Sequence, residues 1–281
     1  SELYLNNITS KEELIDCSIL LYKTQKAIAS LPFIHEETNK IVHKNMRLGL
    51  GITGVCQSLH KLDWLDSCYV ALRSFDCSWS KLRGWPESIK LTTIKPSGTL
   101  SLLGGATPGV HPAFSEYYMR TVRMSSSDAL VQNCKDIGYH VEFLINFDGT
   151  ENRDTVVVYF PCKTPEGSIL AKDMDVLKQL DMVKKLQTDW SDNAVSVTAY
   201  YKPEELESLK LWLKDNYEHN IKSVSFLLLK NHGFKQAPYQ EIDEETYRLA
   251  MAKIKSVDSL AISSSEMLDM AECSSGACPV R

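Results

Sequence analysis

The amino-acid sequence predicts an α/β fold. Short β-prone segments alternate along the chain with longer segments whose apolar residues recur at helical spacing, which is typical of that class. The clearest strand is Thr155–Phe160, which is nearly all apolar or β-branched, as in a sheet covered on both faces. With 281 residues, the chain is long enough for one large domain or two ordinary ones.

The first predicted element is a helix over residues 9–31. Ser10 and Glu13 have the spacing of a capping box at its start. Its apolar face is made of Leu14, Cys17, Leu21 and Ile28. This face predicts that Cys17 is a buried core thiol.

A glycine-rich run follows, Arg47-Leu48-Gly49-Leu50-Gly51-Ile52-Thr53-Gly54-Val55. It lies inside a helical pattern over residues 45–62, and no clear strand precedes it. The run is therefore weak evidence for a dinucleotide-binding loop. The pattern favours a helix that packs closely against its neighbours.

The remaining elements follow in order. A β-prone run at Lys90–Ile94 ends at the segment Lys95–Leu103. Later patterns predict helices at 177–190, 204–217 and 244–255, and strands at 194–200 and 223–229. Residues 256–272 are small and polar, as in a linker. We therefore predict one domain over residues 1–255 and a flexible tail over residues 256–281.

The composition excludes several classes of protein. Hydrophobic content of 43% and charged content of 24% are those of a soluble globular protein, and a net charge of −5 argues against a nucleic-acid-coating protein. No apolar run is long enough to span a membrane, and no signal peptide opens the chain. Eight cysteines without framework spacing suit a reducing cytoplasm. The first residue is Ser1 rather than methionine, which is expected of a processed piece.

A cysteine pair lies in the last nine residues, Cys273-Ser274-Ser275-Gly276-Ala277-Cys278-Pro279-Val280-Arg281. A small, accessible spacer at a chain terminus would let the two thiols form a disulfide, reopen and exchange with another thiol site. The alternative is half of a structural zinc site. No second Cys or His pair at ligand spacing accompanies it, so redox shuttling is the favoured interpretation and no metal site is predicted.

The segment Pro96–Ser101 is the second candidate site. A strand ends before it, Gly98 would let the backbone approach a ligand, and Ser97, Thr99 and Ser101 carry hydroxyls. If a helix begins near Thr99, its unpaired N–H groups would favour an anion. An ordinary helix N-cap explains the same residues, and the segment alone does not decide between the two.

Four motifs in the same order resemble the adenosylcobalamin-dependent (class II) ribonucleotide reductases. They are Lys95-Pro96-Ser97-Gly98-Thr99-Leu100-Ser101, Gly105-Ala106-Thr107-Pro108-Gly109-Val110-His111-Pro112, Trp190-Ser191-Asp192-Asn193-Ala194-Val195-Ser196-Val197-Thr198, and the Cys273/Cys278 tail. The glycine run at 47–55 is also similar to that family. The resemblance covers essentially the whole chain and corresponds to the C-terminal part of a longer catalytic polypeptide. It implies the second half of a ten-stranded α/β barrel, made of two five-stranded halves around a finger loop.

The resemblance also implies a function. Adenosylcobalamin would generate a thiyl radical on a finger-loop cysteine, which abstracts the 3′-hydrogen of a ribonucleotide di- or triphosphate; two other cysteines then reduce the 2′ position. The residues implied to hold the substrate phosphates are Ser97, Gly98, Thr99, Leu100 and Ser101. Thr107, Pro108, Gly109, Val110 and His111 would line the substrate or cobalamin side of the cavity. Cys273 and Cys278 would reduce the active-site disulfide and pass the oxidation to a thioredoxin-like partner.

The chain departs from the family at its start. The family's radical cysteine lies in an Asn-Pro-Cys-Gly-Glu-like stretch, and Ser1-Glu2-Leu3 resembles the continuation of the Cys-Asn-Leu stretch that follows it. The radical cysteine and both reductive cysteines would then belong to a separate N-terminal half. A second register makes Glu2 the catalytic carboxylate. A split at this place, with a serine at the junction, is what an intein would leave; a split gene or a trimmed chain explains it too.

Three other functions are weighed against this one. A class I reductase would carry a tyrosine pair near residues 222–229, and Lys222–Leu229 contains no tyrosine. A nucleotide-binding fragment without catalytic activity of its own would have the same phosphate-binding residues and the same cysteine tail as the reductase. A thiol oxidoreductase unrelated to nucleotides is disfavoured by the spacing of Cys273 and Cys278.

Overall fold

The chain divides into two units in the computed structural model, which describes residues 1–218, 221–229 and 236–255. The first unit contains residues 1–113 and 166–229, and the second contains residues 114–165 and 236–255 of the described part. Two units thus lie within the 1–255 range for which the sequence predicts one domain. The predicted linker and the cysteine tail lie outside the described residues.

Parallel strands form the centre of the first unit. Strands β1 (Glu2–Tyr4), β2 (Leu50–Thr53) and β3 (Thr92–Thr93) form one parallel sheet in that order. Strands β7 (Thr198–Tyr201) and β8 (Ser225–Leu228) form a parallel pair. A parallel bridge between Ile94 and Val195 connects β3 to the segment that leads into β7. Together with the helices between them, these strands confirm the predicted α/β class.

Eight α-helices occur in the described residues. In the first unit they are α1 (Lys11–Ala29), α2 (Glu36–Asn45), α3 (Leu65–Arg83), α4 (Leu100–Leu103), α6 (Val176–Asp189) and α7 (Leu206–Asn216); in the second they are α5 (Ala129–Ile137) and α8 (Glu244–Met251). Short 3₁₀ turns cover Leu5–Asn7, Val55–Gln57, Leu59–Trp64, Ala171–Asp173 and Pro203–Glu205. The helices predicted at 177–190, 204–217 and 244–255 correspond to α6, α7 and α8.

The parallel strands present two different faces. Leu3, Ile52, Ile94 and Val195 belong to one buried cluster, together with apolar residues of α1, α3 and α6. Burial of one such side chain contributes roughly 1.5–3 kcal/mol. Because successive side chains of a strand point to opposite faces, the other face carries polar or small residues: Glu2, Gly51, Thr93, Lys95 and Ser196. We call this second face the polar face.

Helix α1 matches the predicted helix, but the predicted apolar face is partly wrong. Ser10 accepts a hydrogen bond from the Glu13 N–H at 3.1 Å, so it caps the helix as predicted. Ile28 is 60% exposed, and Cys17 is only half-buried at the edge of the core. The buried residues of α1 are Leu14, Ser18, Tyr22 and Lys26. Lys26 can be buried on this face because it forms an ion pair with a carboxylate of α3.

That carboxylate is Asp76, and the pair it forms with Lys26 is fully buried. The Lys26 Nζ and Asp76 Oδ1 atoms are 2.5 Å apart, and neither side chain is exposed. Tyr22 donates its hydroxyl to the same oxygen at 2.5 Å, and the Ser88 N–H donates to Oδ2 at 2.9 Å. The network fastens α1, α3 and the segment before β3 together.

The glycine-rich run does not form the predicted helix. Residues 50–53 are strand β2, which lies between β1 and β3 and is buried along its whole length. Gly51 pairs with Glu2 on one side and with Thr93 on the other. A glycine at this position leaves room on the polar face for the side chains of neighbouring strands.

The second unit contains an antiparallel sheet. Its order is β5 (His140–Ile145), β6 (Glu151–Lys163), β4 (Tyr117–Ser125) and β9 (Tyr239–Glu241). The predicted strand Thr155–Phe160 lies in β6, and Val156, Val157 and Val158 are buried. A run of buried residues is typical of parallel sheets, but here it belongs to a central antiparallel strand.

Candidate functional site

The segment that follows β3 has an unusual backbone at Ser97. This residue has φ of +50°, a left-handed conformation that costs a residue other than glycine roughly 1–3 kcal/mol. Ser97 is only 9% exposed, and no described residue forms a hydrogen bond with its buried Oγ atom. A strained backbone and an unsatisfied buried hydroxyl at one residue are typical of a ligand site.

The turn from Ser97 to Ser101 is closed by its own hydrogen bonds. The Ser101 N–H and hydroxyl both donate to the Ser97 carbonyl, and the Ser101 side chain is fully buried. The Ser101 hydroxyl, one of those predicted to hold the substrate phosphates, thus donates within the turn in this structure. Thr99 and Leu100 are exposed, and Thr99 is the N-cap residue of α4. Since α4 has only four residues, its dipole contributes little to an anion site.

Strand β1 and the turn after it support this segment. The Tyr4 hydroxyl donates to the Leu100 carbonyl at 2.6 Å. A Cβ atom on Gly104 would lie 2.2 Å from the Tyr4 ring, so no other residue fits there without a shift. The position of α4 is therefore set by Tyr4.

The loop from Gly105 to Pro112 packs against the start of the segment. Thr53 accepts a hydrogen bond from the Gly109 N–H at 2.9 Å and donates to the Thr107 carbonyl at 3.0 Å. Gly109 has φ of +54°, and a Cβ atom there would lie 2.3 Å from the Lys95 carbonyl oxygen. The loop thus holds the backbone of Lys95 in place.

The side chains of this loop point into the protein. His111 is 8% exposed; its Nδ1–H donates to the Pro108 carbonyl at 3.0 Å, and its Nε2 accepts from the Thr198 N–H at 3.1 Å. Burial lowers the pKa of His111 and so favours the neutral ring that these bonds require. Val110 is fully buried. Thr107 is 2% exposed, and no described residue forms a hydrogen bond with its Oγ1 atom.

The motif at residues 190–198 is held by buried and half-buried hydrogen bonds. Asp192 accepts from the Tyr69 hydroxyl at 2.7 Å and pairs with Arg73 at 2.8 Å. The Asn193 amide donates to the carbonyls of Leu48 at 2.9 Å and Thr92 at 2.8 Å. Arg73 was missed in the sequence because nothing local marks its partner, which lies 119 residues away.

An open cleft of about 550 Å³ lies on the polar face. Its lining residues are Arg47, Leu48, Gly49, Thr93, Ile94, Lys95, Asn193, Ala194 and Ser196. The cleft thus combines basic side chains with small residues from two of the motifs. It reaches Lys95, directly before the segment 96–101, and does not include the loop at 107–111.

Two buried cysteines of the described residues, Cys56 and Cys68, are poor candidates for a reactive thiol. Burial raises the pKa of Cys56 to about 12 and also raises the pKa of Cys68, which keeps both as unreactive thiols. Cys273 and Cys278 lie outside the described residues. Within the described ranges, no group of three His, Cys, Asp or Glu residues could hold a metal ion, and no helix is long and apolar enough to cross a membrane.

Known proteins are similar to this chain in sequence and in fold. The model of the family described as "Ribonucleotide reductase, barrel domain" matches residues 80–227. A probable adenosylcobalamin-dependent ribonucleoside-triphosphate reductase of Dictyostelium discoideum is 34% identical over 99% of this chain and 38% of its own length. An adenosylcobalamin-dependent ribonucleoside-triphosphate reductase of Euglena gracilis is 37% identical over 87% of this chain and 34% of its own length. The crystal structure of a B-12 dependent (class II) ribonucleotide reductase matches 87% of this chain and 39% of its own, with a TM-score of 0.74 and 28% identity. The chain thus spans well under half the length of these proteins.

Proposed function

The chain belongs to the ribonucleotide reductases, and from this membership we propose that it is the C-terminal part of an adenosylcobalamin-dependent ribonucleoside-triphosphate reductase. In this proposal it supplies the substrate phosphate site, and the five parallel strands of its first unit form half of a ten-stranded barrel. The radical cysteine belongs to an N-terminal half of the enzyme. The reductases of Dictyostelium and Euglena support the cofactor and the triphosphate substrate through their names.

The proposed phosphate site consists of residues 97–101. The observation that carries the proposal is Ser97, which has a strained backbone and a buried hydroxyl with no hydrogen-bond partner among the described residues. It follows β3 and lies two residues after Lys95, which lines the cleft. Thr99 adds an exposed hydroxyl, and the Leu100 N–H, the first of α4, adds a donor. Gly98 lets the chain approach the phosphates, and Ser101 holds the turn from behind. The loop at Thr107–His111 has a supporting role, because it packs against the backbone of Lys95 and holds it in place.

Replacing Ser97 and Thr99 together with alanine tests this site. Charge-assisted hydrogen bonds contribute roughly 1.5–3 kcal/mol each, so we expect the affinity for CTP to fall at least tenfold. Calorimetric titration of the chain with CTP measures it. The matched control replaces Thr24 and Ser78 with alanine, since both are exposed hydroxyls on helix surfaces. Equal affinities of the site variant and the control would contradict the proposal.

Cys273 and Cys278 are proposed to carry electrons from a thioredoxin-like partner to the active-site disulfide by thiol–disulfide exchange. In the complete reductase, Cys273→Ser or Cys278→Ser should permit a single turnover of prereduced enzyme and stop multiple turnover with thioredoxin. A small dithiol should restore turnover, because it reaches the active-site disulfide directly. Cys77→Ser, at an exposed thiol of α3, is the control. Normal turnover of the tail variants with thioredoxin would refute the shuttle.

Adenosylcobalamin, when bound, supplies the radical by homolytic cleavage of its cobalt–carbon bond. Two residues of the loop at 107–111 offer no free group to it: both His111 nitrogens bind backbone groups, and Val110 is fully buried. We therefore assign neither His111 nor Val110 to the binding of the cofactor.

A further inference from the structure

An ion pair lies on the polar face, between Glu2 of β1 and Lys95, two residues after β3. The Glu2 Oε2 and Lys95 Nζ atoms are 3.1 Å apart, although these residues are separated by β2. The Glu2 side chain is 3% exposed and that of Lys95 is 40% exposed. The carboxylate is thus enclosed, whereas the Lys95 side chain is partly exposed and its residue lines the open cleft.

The Glu2 carboxylate is poorly satisfied where it lies. Both of its oxygens are buried, and no described residue forms a hydrogen bond with either of them. The contact with Lys95 is close enough for charge attraction but lacks the angles of a hydrogen bond. A buried carboxylate without donors opposes folding. An ion pair that only stabilises the fold would have good hydrogen-bond geometry, and the pair of Glu2 and Lys95 lacks it.

The surroundings leave room for this pair. A Cβ atom on Gly51 would lie 3.3 Å from the Ser1 carbonyl oxygen, 3.9 Å from the Glu2 side chain and 4.0 Å from that of Lys95. A glycine between the two charged residues thus allows both side chains to lie across β2. The glycine-rich run has here a role that its sequence alone did not reveal.

Lys95 is also the one cation available to the proposed phosphate site from its own segment. Residues 91–112 contain no other lysine or arginine, and the His111 ring is buried and neutral. A nucleoside triphosphate carries several negative charges, and α4 is too short to offset them with its dipole. Hydroxyl and N–H donors at 97–101 would therefore leave most of that charge unbalanced.

We propose that Lys95 binds the phosphate groups of the substrate and that Glu2 is the positioning residue for its ammonium group. The proposal rests on the phosphate site proposed above, to whose neutral donors it adds a cationic one. In this proposal the buried Glu2 carboxylate attracts the Lys95 ammonium group and holds it at the edge of the cleft. The N–H bonds of the ammonium that do not face Glu2 are then available to substrate phosphates held by residues 97–101.

A structural role for Lys95 makes a different prediction, and a pair of variants separates the two. If Lys95 only neutralises Glu2, Lys95→Met lowers stability, and Glu2→Gln combined with Lys95→Met restores both stability and ligand binding. If Lys95 binds phosphate, the double variant recovers its melting temperature but not its affinity. Lys90→Met, which removes the same charge five residues earlier in the chain, is the control.

The experiment is calorimetric titration of each variant with tripolyphosphate and with CTP, at low and at high salt. We expect the double variant to bind both ligands at least tenfold more weakly than the unchanged chain, with a difference that shrinks at high salt. Glu2→Gln alone should weaken binding several-fold. Loss of a nearby negative charge would by itself tighten binding, so weakening identifies positioning.

Four results would overturn the proposal. Wild-type affinity in the double variant would make Lys95 a structural counter-ion, and tighter binding by Glu2→Gln would remove the positioning role. If the Ser97 and Thr99 variant loses affinity while the double variant keeps it, the proposed function stands and this extension fails. If the unchanged chain binds neither ligand, both fail together.

Discussion

Asp76→Ala will destabilise the chain by about 3–5 kcal/mol, the cost of breaking a buried ion pair. The substitution leaves the Lys26 ammonium fully buried without its carboxylate, and it removes the acceptor of the Tyr22 hydroxyl and of the Ser88 N–H. Folded proteins are stable by only about 5–15 kcal/mol, so the loss is a large part of the total. Urea unfolding, followed by circular dichroism, measures it.

The control for this prediction is another lysine–carboxylate pair. Glu36 and Lys40 are 2.8 Å apart on α2, with side chains 76% and 68% exposed. Glu36→Ala should change stability by less than about 1 kcal/mol, because solvent screens the pair. Similar losses in the two variants would mean that the buried network does not hold α1 against α3.

The same carboxylate predicts how stability depends on pH. Burial alone would raise the pKa of Asp76, but hydrogen bonds from Lys26, Tyr22 and Ser88 outweigh it and lower that pKa below its ordinary value. A group with a lowered folded-state pKa contributes stability above its unfolded pKa, about 3.9, and loses it as the pH falls through the folded value. The difference in stability between the unchanged chain and Asp76→Ala should therefore shrink below about pH 4.

The fold class and most helices could be predicted because their signals are local. Ser10 marks a helix start, and the apolar spacing of residues 177–190 marks α6. The buried face of α1 could not be predicted, because Lys26 is buried only where Asp76, 50 residues away, meets it. Strand β2 was missed because glycines weaken a strand signal, and Gly51 is there to make room for its neighbours. The antiparallel pairing of β6 was missed because a buried run carries no sign of its partner's direction.

The candidate site shows the same division. The motif around Ser97 could be found in the sequence, since hydroxyls and a glycine after a strand predict an anion-binding turn. The strained backbone of Ser97 and the hydrogen bond from the Ser101 hydroxyl to the Ser97 carbonyl could not be predicted, because both depend on how the turn folds back on itself. Glu2 and Lys95 lie far apart in the sequence, and only the order of the three strands brings them together.

Gly109→Ala should be the most damaging single change near the site. The residue has φ of +54°, and a side chain in that region costs roughly 1–2 kcal/mol. The new Cβ atom would also lie 2.3 Å from the Lys95 carbonyl oxygen, so the backbone must move, which costs roughly 1–3 kcal/mol more. We expect a loss of stability of about 2–5 kcal/mol and, in the protein that still folds, weaker binding of CTP.

Gly84→Ala separates the two causes of this loss. Gly84 ends α3 with φ of +66°, and a Cβ atom there would meet nothing within 4 Å. Gly84→Ala introduces the cost of the left-handed backbone but no close contact of the new Cβ atom. It should therefore lose about 1–2 kcal/mol of stability and bind CTP normally. Because the loop at 105–112 fixes Lys95, displacement of its carbonyl moves the start of the phosphate segment. If Gly109→Ala lost no more stability than Gly84→Ala and kept its affinity for CTP, the loop would not support the site.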